Sequence, residues 1–182
     1  VQVTDNYRDL YTMPLDAVVV ATPPATHFRI ARDCLDQGLS VLVEKPLTLN
    51  RRDAEELIEL ADRRNLTLMV GHTFVYNAAV RALKQLIDSG ELGQVRYIDA
   101  VRVNLGLFQS QLDVIWDLAP HDISILLYLL SSEPVRISAH ASDCIFRGKP
   151  DIAYLNLDFA DSTLAHIRVS WLDPCKVRRS TV

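Results

Sequence analysis

The sequence predicts an α/β protein in two parts. Residues 1–75 read as half of a doubly wound parallel sheet. Residues 76–182 read as an α+β domain with an open, mostly antiparallel sheet. Two observations carry this division. In the first part, short and nearly unbroken apolar runs alternate with segments of helical periodicity, the pattern of strands covered by crossover helices. In the second part the strands are longer, alternate apolar with polar residues and follow one another through short turns, as in an antiparallel sheet with one packed face.

The elements follow in order. Residues 16–22, DAVVVAT, form a first strand expected to be buried on both faces, and Pro23-Pro24 ends it. Residues 26–37 carry Phe28, Ile30, Ala31, Cys34 and Leu35 at helical spacing, and Gly38 closes that helix. Residues 41–43 are the next buried strand. Asn50 is an N-cap with Asp53 three residues on, and Leu57, Ile58, Leu60 and Ala61 form the apolar stripe of the helix it opens. Residues 67–70 make a third strand, ending at Gly71-His72. The β-α-β-α-β order with short turns implies right-handed crossovers and a parallel sheet. Beyond Tyr76 come a helix over 77–89 stopped by Gly90, a strand over 94–104 and a helix over 117–130. Strands over 135–146, 152–159 and 163–171 complete the second part, the last two joined by a tight turn at Ala160-Asp161-Ser162. The closing segment KVRRSTV alternates like the start of a further strand. With no initiator Met at Val1, the expectation is of a piece of a longer protein.

Composition removes several function classes. Hydrophobic residues at 49% and charged residues at 23% are those of an ordinary globular protein. A net charge of −4 and no basic stripe speak against nucleic acid as a partner. No apolar run approaches the roughly 20 residues of a membrane span. Three scattered cysteines, Cys34, Cys144 and Cys175, in no CxxC spacing point to a reducing compartment, hence the cytoplasm, and to no structural zinc.

Candidate chemistry gathers at the strand ends, because open parallel sheets bind ligands outside the carboxyl ends of their strands. Those ends carry Thr22-Pro23-Pro24-Ala25-Thr26-His27, then Glu44-Lys45-Pro46, then Gly71-His72. The plain alternative is that Glu44 caps the next turn and Lys45 leaves the core for solvent. A second set is WDLAPHDISILLYLL. Asp117 and His121 are four apart and share one face of a helix. Both are expected in its first turns, where a neutral imidazole beside a carboxylate is a usable general base. The alternative is a surface Asp–His pair. Pro120 favours a helix start nearer Leu118 or Ala119, and Asp122 is expected to face elsewhere, solvated or supporting. His72, Tyr76 and Asn77 form a polar set where the two parts join, either substrate-binding or a self-satisfied hinge. Asn104 and Gln109 flank Gly106 in a loop that either reaches over a pocket or is an ordinary connection. No His/Cys set has metal-ligand spacing, and no GxSxG or P-loop occurs.

These residues resemble a known family. DAVVVATPPATHFRIARDCLDQGLSVLVEKPLTLN is similar to the second half of the nucleotide-binding domain of the Gfo/Idh/MocA oxidoreductases. The likeness continues through VGHTFVYNAAVRALKQLIDSGELGQV and WDLAPHDISILLYLL to the end of the chain. The combined ATPxxxH, EKP and DxxxH spacing carries it. The resemblance implies a partial Rossmann-like sheet followed by an α/β domain, and hydride exchange between NAD or NADP and a sugar, cyclitol or nucleotide-sugar. It implies that Lys45 lies near the nicotinamide ribose and the reacting hydroxyl, with Glu44 and Pro46 shaping that turn. It implies that Thr22, Pro23 and His27 line the dinucleotide, and that His121 carries the proton with Asp117 as its partner. His72, Tyr76, Asn77 and Asn104 are the candidate substrate contacts.

The chain departs from the family pattern at two points. It holds six glycines and no GxGxxG, so the first two βα units and the final strands are expected to lie outside it. Ala119-Pro120 stands where relatives often carry a glycine before the histidine. Alternative readings are a non-catalytic sugar- or dinucleotide-binding relative, an NAD-dependent glycosidase of the same fold and, weakest, a metal-dependent hydrolase built on His72, Asp117 and His121. The apolar strands of the second part predict a homo-oligomer through its sheet.

Overall fold

A computed structural model describes residues 2–106, 108–109, 111–145 and 147–182. The chain divides into two units between Gly71 and His72, ahead of the boundary expected after residue 75.

In the first unit β1 (Ala17–Val20), β2 (Ser40–Val43) and β3 (Leu68–Val70) lie parallel and side by side in chain order. α1 (His27–Asp36) and α2 (Arg51–Arg64) are the crossovers between them. Strand order never reverses, so two right-handed crossovers place both helices over the same face. Ile30, Leu35, Leu57 and Leu60 close from those helices over Val18, Val20, Val41 and Val43. This corrects the expectation of a first strand buried on both faces: Val19 turns to the uncovered side and is 65% exposed. The helix boundaries follow local chemistry. The Asn50 side chain accepts the Asp53 N–H at 2.9 Å to start α2, and Gly38, at φ 83°, turns the chain out of α1.

The second unit runs α3 (Ala78–Asp88), β4 (Tyr97–Leu105), α4 (Val114–Leu130), β5 (Pro134–Ser142), β6 (Ile152–Phe159), β7 (Leu164–Ser170) and β8 (Leu172–Thr181). Its five strands take the order β5-β6-β7-β4-β8. Every neighbouring pair is antiparallel except β4 and β7. Ile98, Leu155, Leu157, Ile167 and Val169 from one face of the sheet pack on Ala119, Ile125, Leu126 and Leu129 of α4. The segment expected to begin a further strand belongs to β8, which is already under way at Leu172. The strand expected over 135–146 ends at Ser142, and Phe146 lies outside the described residues.

α4 begins earlier than its proline suggests. The Asp113 carboxylate accepts the N–H groups of Ile115 and Trp116 at 2.9 and 3.0 Å, capping the helix ahead of the start expected near residues 117–119. Pro120 therefore sits inside the helix, where it removes one intrahelical donor. Asp117 stays in the first turn, but His121 lies a full turn beyond it, where the helix dipole has less effect than expected. Among the described residues, no helix is long and apolar enough to cross a membrane, and no group of His, Cys, Asp and Glu is placed to hold a metal ion.

Candidate active site

In the first unit, the strand-end residues gather around a buried histidine. His27 is 1% exposed. Its Nδ1 lies 2.8 Å from the Pro46 carbonyl oxygen and its Nε2 lies 2.7 Å from that of Thr22. One imidazole thus ties the turn after β1 to the turn after β2. Either neutral tautomer donates to one carbonyl, and the doubly protonated ring donates to both. With both nitrogens committed to backbone carbonyls, His27 holds the two turns of the rim together. Thr22 and Pro23 are exposed on that rim, and the Thr22 hydroxyl shares a 2.7 Å hydrogen bond with Thr26. Beyond β2, Glu44 is exposed, Lys45 is half-buried and Pro46 is buried after a cis peptide bond. The Glu44 N–H still donates to the Val20 carbonyl at 2.9 Å, so the ladder carries the chain out to the charged pair.

Gly71, at the end of β3, completes the rim. A Cβ there would come within 3.2 Å of the Glu44 carboxylate, so the bare backbone lets that side chain lie close against the strand end, and a larger residue would push it aside by a few tenths of an ångström. The exposed hydroxyl, the half-buried cation and the close backbone approach fit the nicotinamide side of a dinucleotide. None of the six glycines stands in a GxGxxG, and no residue here is assigned to a pyrophosphate.

In the second unit, Asp117 and His121 stand one turn apart on α4, as their spacing implies. The Asp117 carboxylate accepts the Trp171 indole N–H at 3.1 Å, and Trp171 is 2% exposed. Both line a pocket of about 420 Å3 with Asn104, Gly106, Gln109 and Lys176. A Cβ on Gly106 would overlap the Asn104 amide, so the bare backbone there makes room for that side chain. The His121 imidazole meets the Phe74 ring edge-to-face, 4.9 Å between centroids.

The polar set at the start of this unit is dispersed in its roles. The Asn77 side-chain oxygen accepts the Ala79 N–H at 2.9 Å and caps α3. Tyr76 is 55% exposed, with the Arg81 guanidinium 5.2 Å from its ring centre. His72 has a buried Nδ1 with no hydrogen-bond partner among the described residues, and burial pushes its pKa below the ordinary imidazole value. Of the two readings of Asp122, the solvated one fails and the supporting one stands: it is 3% exposed and bound at both oxygens by Arg102, at 2.7 and 3.0 Å.

Residues 1–72 match the family described as "Oxidoreductase family, NAD-binding Rossmann fold", and residues 80–182 match the "GFO/IDH/MocA C-terminal domain". The chain belongs to the Gfo/Idh/MocA family. Its first unit is the family's NAD- or NADP-binding type of domain. Over 165 residues the chain is 33% identical to the UDP-N-acetylglucosamine 3-dehydrogenase of Acidithiobacillus ferrooxidans, a match covering 89% of this chain and 50% of that protein. It resembles a solved structure of that dehydrogenase with a TM-score of 0.84 at 31% identity, over 97% of this chain and 57% of the other. A structure of GenD2 from gentamicin A biosynthesis, in complex with NAD, is similar with a TM-score of 0.88 at 26% identity, over 98% of this chain and 54% of the other. The chain spans about half the length of the curated relatives it matches.

Four residues of this Gfo/Idh/MocA chain escaped the sequence reading: Phe74, Arg102, Trp171 and Lys176. The partners of Phe74, Arg102 and Trp171 lie far away in the chain, as with Trp171 and Asp117, which are 54 residues apart, and Lys176 meets the pocket from β8. No local pattern marks such a pair. Asp113 did leave a signal, a carboxylate just ahead of an apolar run, but Pro120 outweighed it.

Proposed function

We propose that this chain serves an oxidoreductase that exchanges a hydride between NAD or NADP and a hydroxyl-bearing carbon of a sugar, cyclitol or nucleotide-sugar. The observation that carries the reading is the Asp117–His121 pair on α4, with its carboxylate fixed by Trp171 in a pocket lined by amides and a lysine. When bound, the nicotinamide supplies the hydride chemistry. The residues of the chain supply placement and proton handling. Thr22, Pro23, Glu44 and Pro46 would hold the nicotinamide side, over turns locked by His27. His121 accepts the proton that leaves the substrate hydroxyl, and Asp117 balances the resulting imidazolium. Lys45, as a cation, stabilises the developing alkoxide. Asn104, His72, Tyr76 and Asn77 contribute substrate contacts, and Gln109 and Lys176 extend the set from the pocket wall.

The test is a fluorescence titration of the folded protein with NADH and NADPH, followed by turnover of NAD+ or NADP+ with a panel of sugars, cyclitols and nucleotide-sugars. Saturable binding and cofactor reduction are expected. Normal turnover by Lys45→Ala and His121→Ala variants of the longer protein would sink the reading, whereas a folded chain that binds neither cofactor would place the pyrophosphate-binding part outside these residues. Binding without any reduction would recast it as a dinucleotide-binding relative.

We further propose a homo-oligomer through the uncovered face of the second unit's sheet. That face shows Tyr97 and Leu164 at 54% exposed each, beside the stacked Tyr154 and His166 rings. Light scattering is expected to return a multiple of the chain mass, and a monomer at micromolar concentration would remove the proposal.

A further inference from the structure

Arg102 on β4 and Arg178 on β8 are directly paired across an antiparallel ladder, so both side chains project from one face of the sheet. Like charges in that relation repel. One of them is neutralised: Arg102 forks onto both oxygens of Asp122, and the two side chains are 5% and 4% exposed. A buried ion pair adds little net stability, because desolvation offsets its attraction. What a bidentate pair does supply is position. The Arg102 guanidinium lies 4.5 Å from the centre of the Phe74 ring, and the Arg178 guanidinium lies 5.4 Å from it. The same ring packs edge-to-face on His121 with the planes at 76°. Asp122, the residue after His121, meanwhile ties α4 to β4. Two cations thus grip one phenyl ring, and that ring bears on one imidazole.

We propose that Phe74 is a positioning residue for His121, anchored by the Arg102–Asp122 pair and steadied by Arg178. A phenyl ring neither titrates nor forms a strong hydrogen bond. It therefore sets the plane of the imidazole without competing for its proton. A flexible aliphatic side chain of similar volume fills the space but does not set a plane. The kinetic consequence of this inference rests on the proton-transfer role proposed for His121. The packing itself does not.

The experiment compares Phe74→Leu, Phe74→Met and Phe74→Tyr. The aliphatic variants are expected to lower kcat by on the order of tenfold to a hundredfold with KM changed by about twofold or less, the scale on which small misplacements act. Phe74→Tyr restores most of the rate. In NMR spectra of the same samples, the ring C–H resonances of His121 are expected to be displaced by the Phe74 ring current in the wild type and Phe74→Tyr. They return toward free-imidazole positions in the aliphatic variants. Arg178→Met removes an exposed side chain and spares the core, and it should move those resonances in the same direction by less. Unchanged kcat and unchanged His121 resonances in the aliphatic variants overturn the proposal, as does a Phe74→Tyr variant as impaired as Phe74→Leu. A wild type with no turnover on any substrate defeats the hydride-transfer reading alone, and the His121 resonances then decide the positioning role.

Discussion

His121→Ala is expected to lower kcat about a hundredfold to ten-thousandfold, the usual contribution of a positioned general base. That loss corresponds to about 3 to 5 kcal/mol of barrier at 1.36 kcal/mol per tenfold. NADH affinity should stay within about twofold, since His121 belongs to the second unit and the rim residues Thr22, Glu44 and Pro46 belong to the first. The separation matters because a substitution that merely unfolds the protein removes both readouts together. Asp117→Asn should follow in the same direction with a smaller loss, since an amide still accepts the Trp171 N–H but no longer balances an imidazolium. Trp171→Phe tests the other half of that contact. It keeps the packing and removes the donor, so the carboxylate turns more freely while its charge remains. Steady-state kinetics on a substrate identified from the sugar panel check all three. An unimpaired His121→Ala variant would move the proton-carrying role to another residue.

Much of this arrangement was legible along the chain, and the parts that were not share a cause. β1, β2 and β3 were readable because each apolar run is short and bounded by Pro, Gly or a charge. α2 was readable because Asn50 and Asp53 mark its start chemically. The exposure of Val19 was not readable, because it follows from strand order: both crossover helices land on one face. The role of Asp122 was hidden because its partner Arg102 lies 20 residues back on a strand, and helical spacing says nothing about strands. Pro120 misled the reading of α4, since proline favours a first helical turn. Asp113 overrides it with two accepted N–H groups, and the packed apolar face beyond tolerates the lost donor. His27 shows the same limit. Its place in the ATPxxxH pattern was visible, but the carbonyl oxygens it faces come from Thr22 and Pro46, which only the folded turns bring together.

The Arg102–Asp122 pair yields the largest expected effect on stability. Arg102→Met alone should destabilise the protein by about 3 to 5 kcal/mol, because it leaves the Asp122 carboxylate buried with its bidentate partner gone. Arg102→Met combined with Asp122→Leu removes both charges and keeps apolar volume in the space. Such replacements are often neutral or stabilising by about 1 to 4 kcal/mol, so the double variant should unfold at or above the wild-type urea midpoint. Urea denaturation of the two variants checks the pair of expectations, and similar losses in both would mean that the site depends on volume and not on charge. The double variant also separates stability from activity. If the pair served folding alone, a stable double variant would turn over normally. If it anchors Phe74 against His121, the double variant stays folded yet loses rate, because a methionine no longer offers the phenyl ring a planar cation to rest on. Buried charge is then kept at this position for the placement of one imidazole, and a more stable protein is the poorer catalyst.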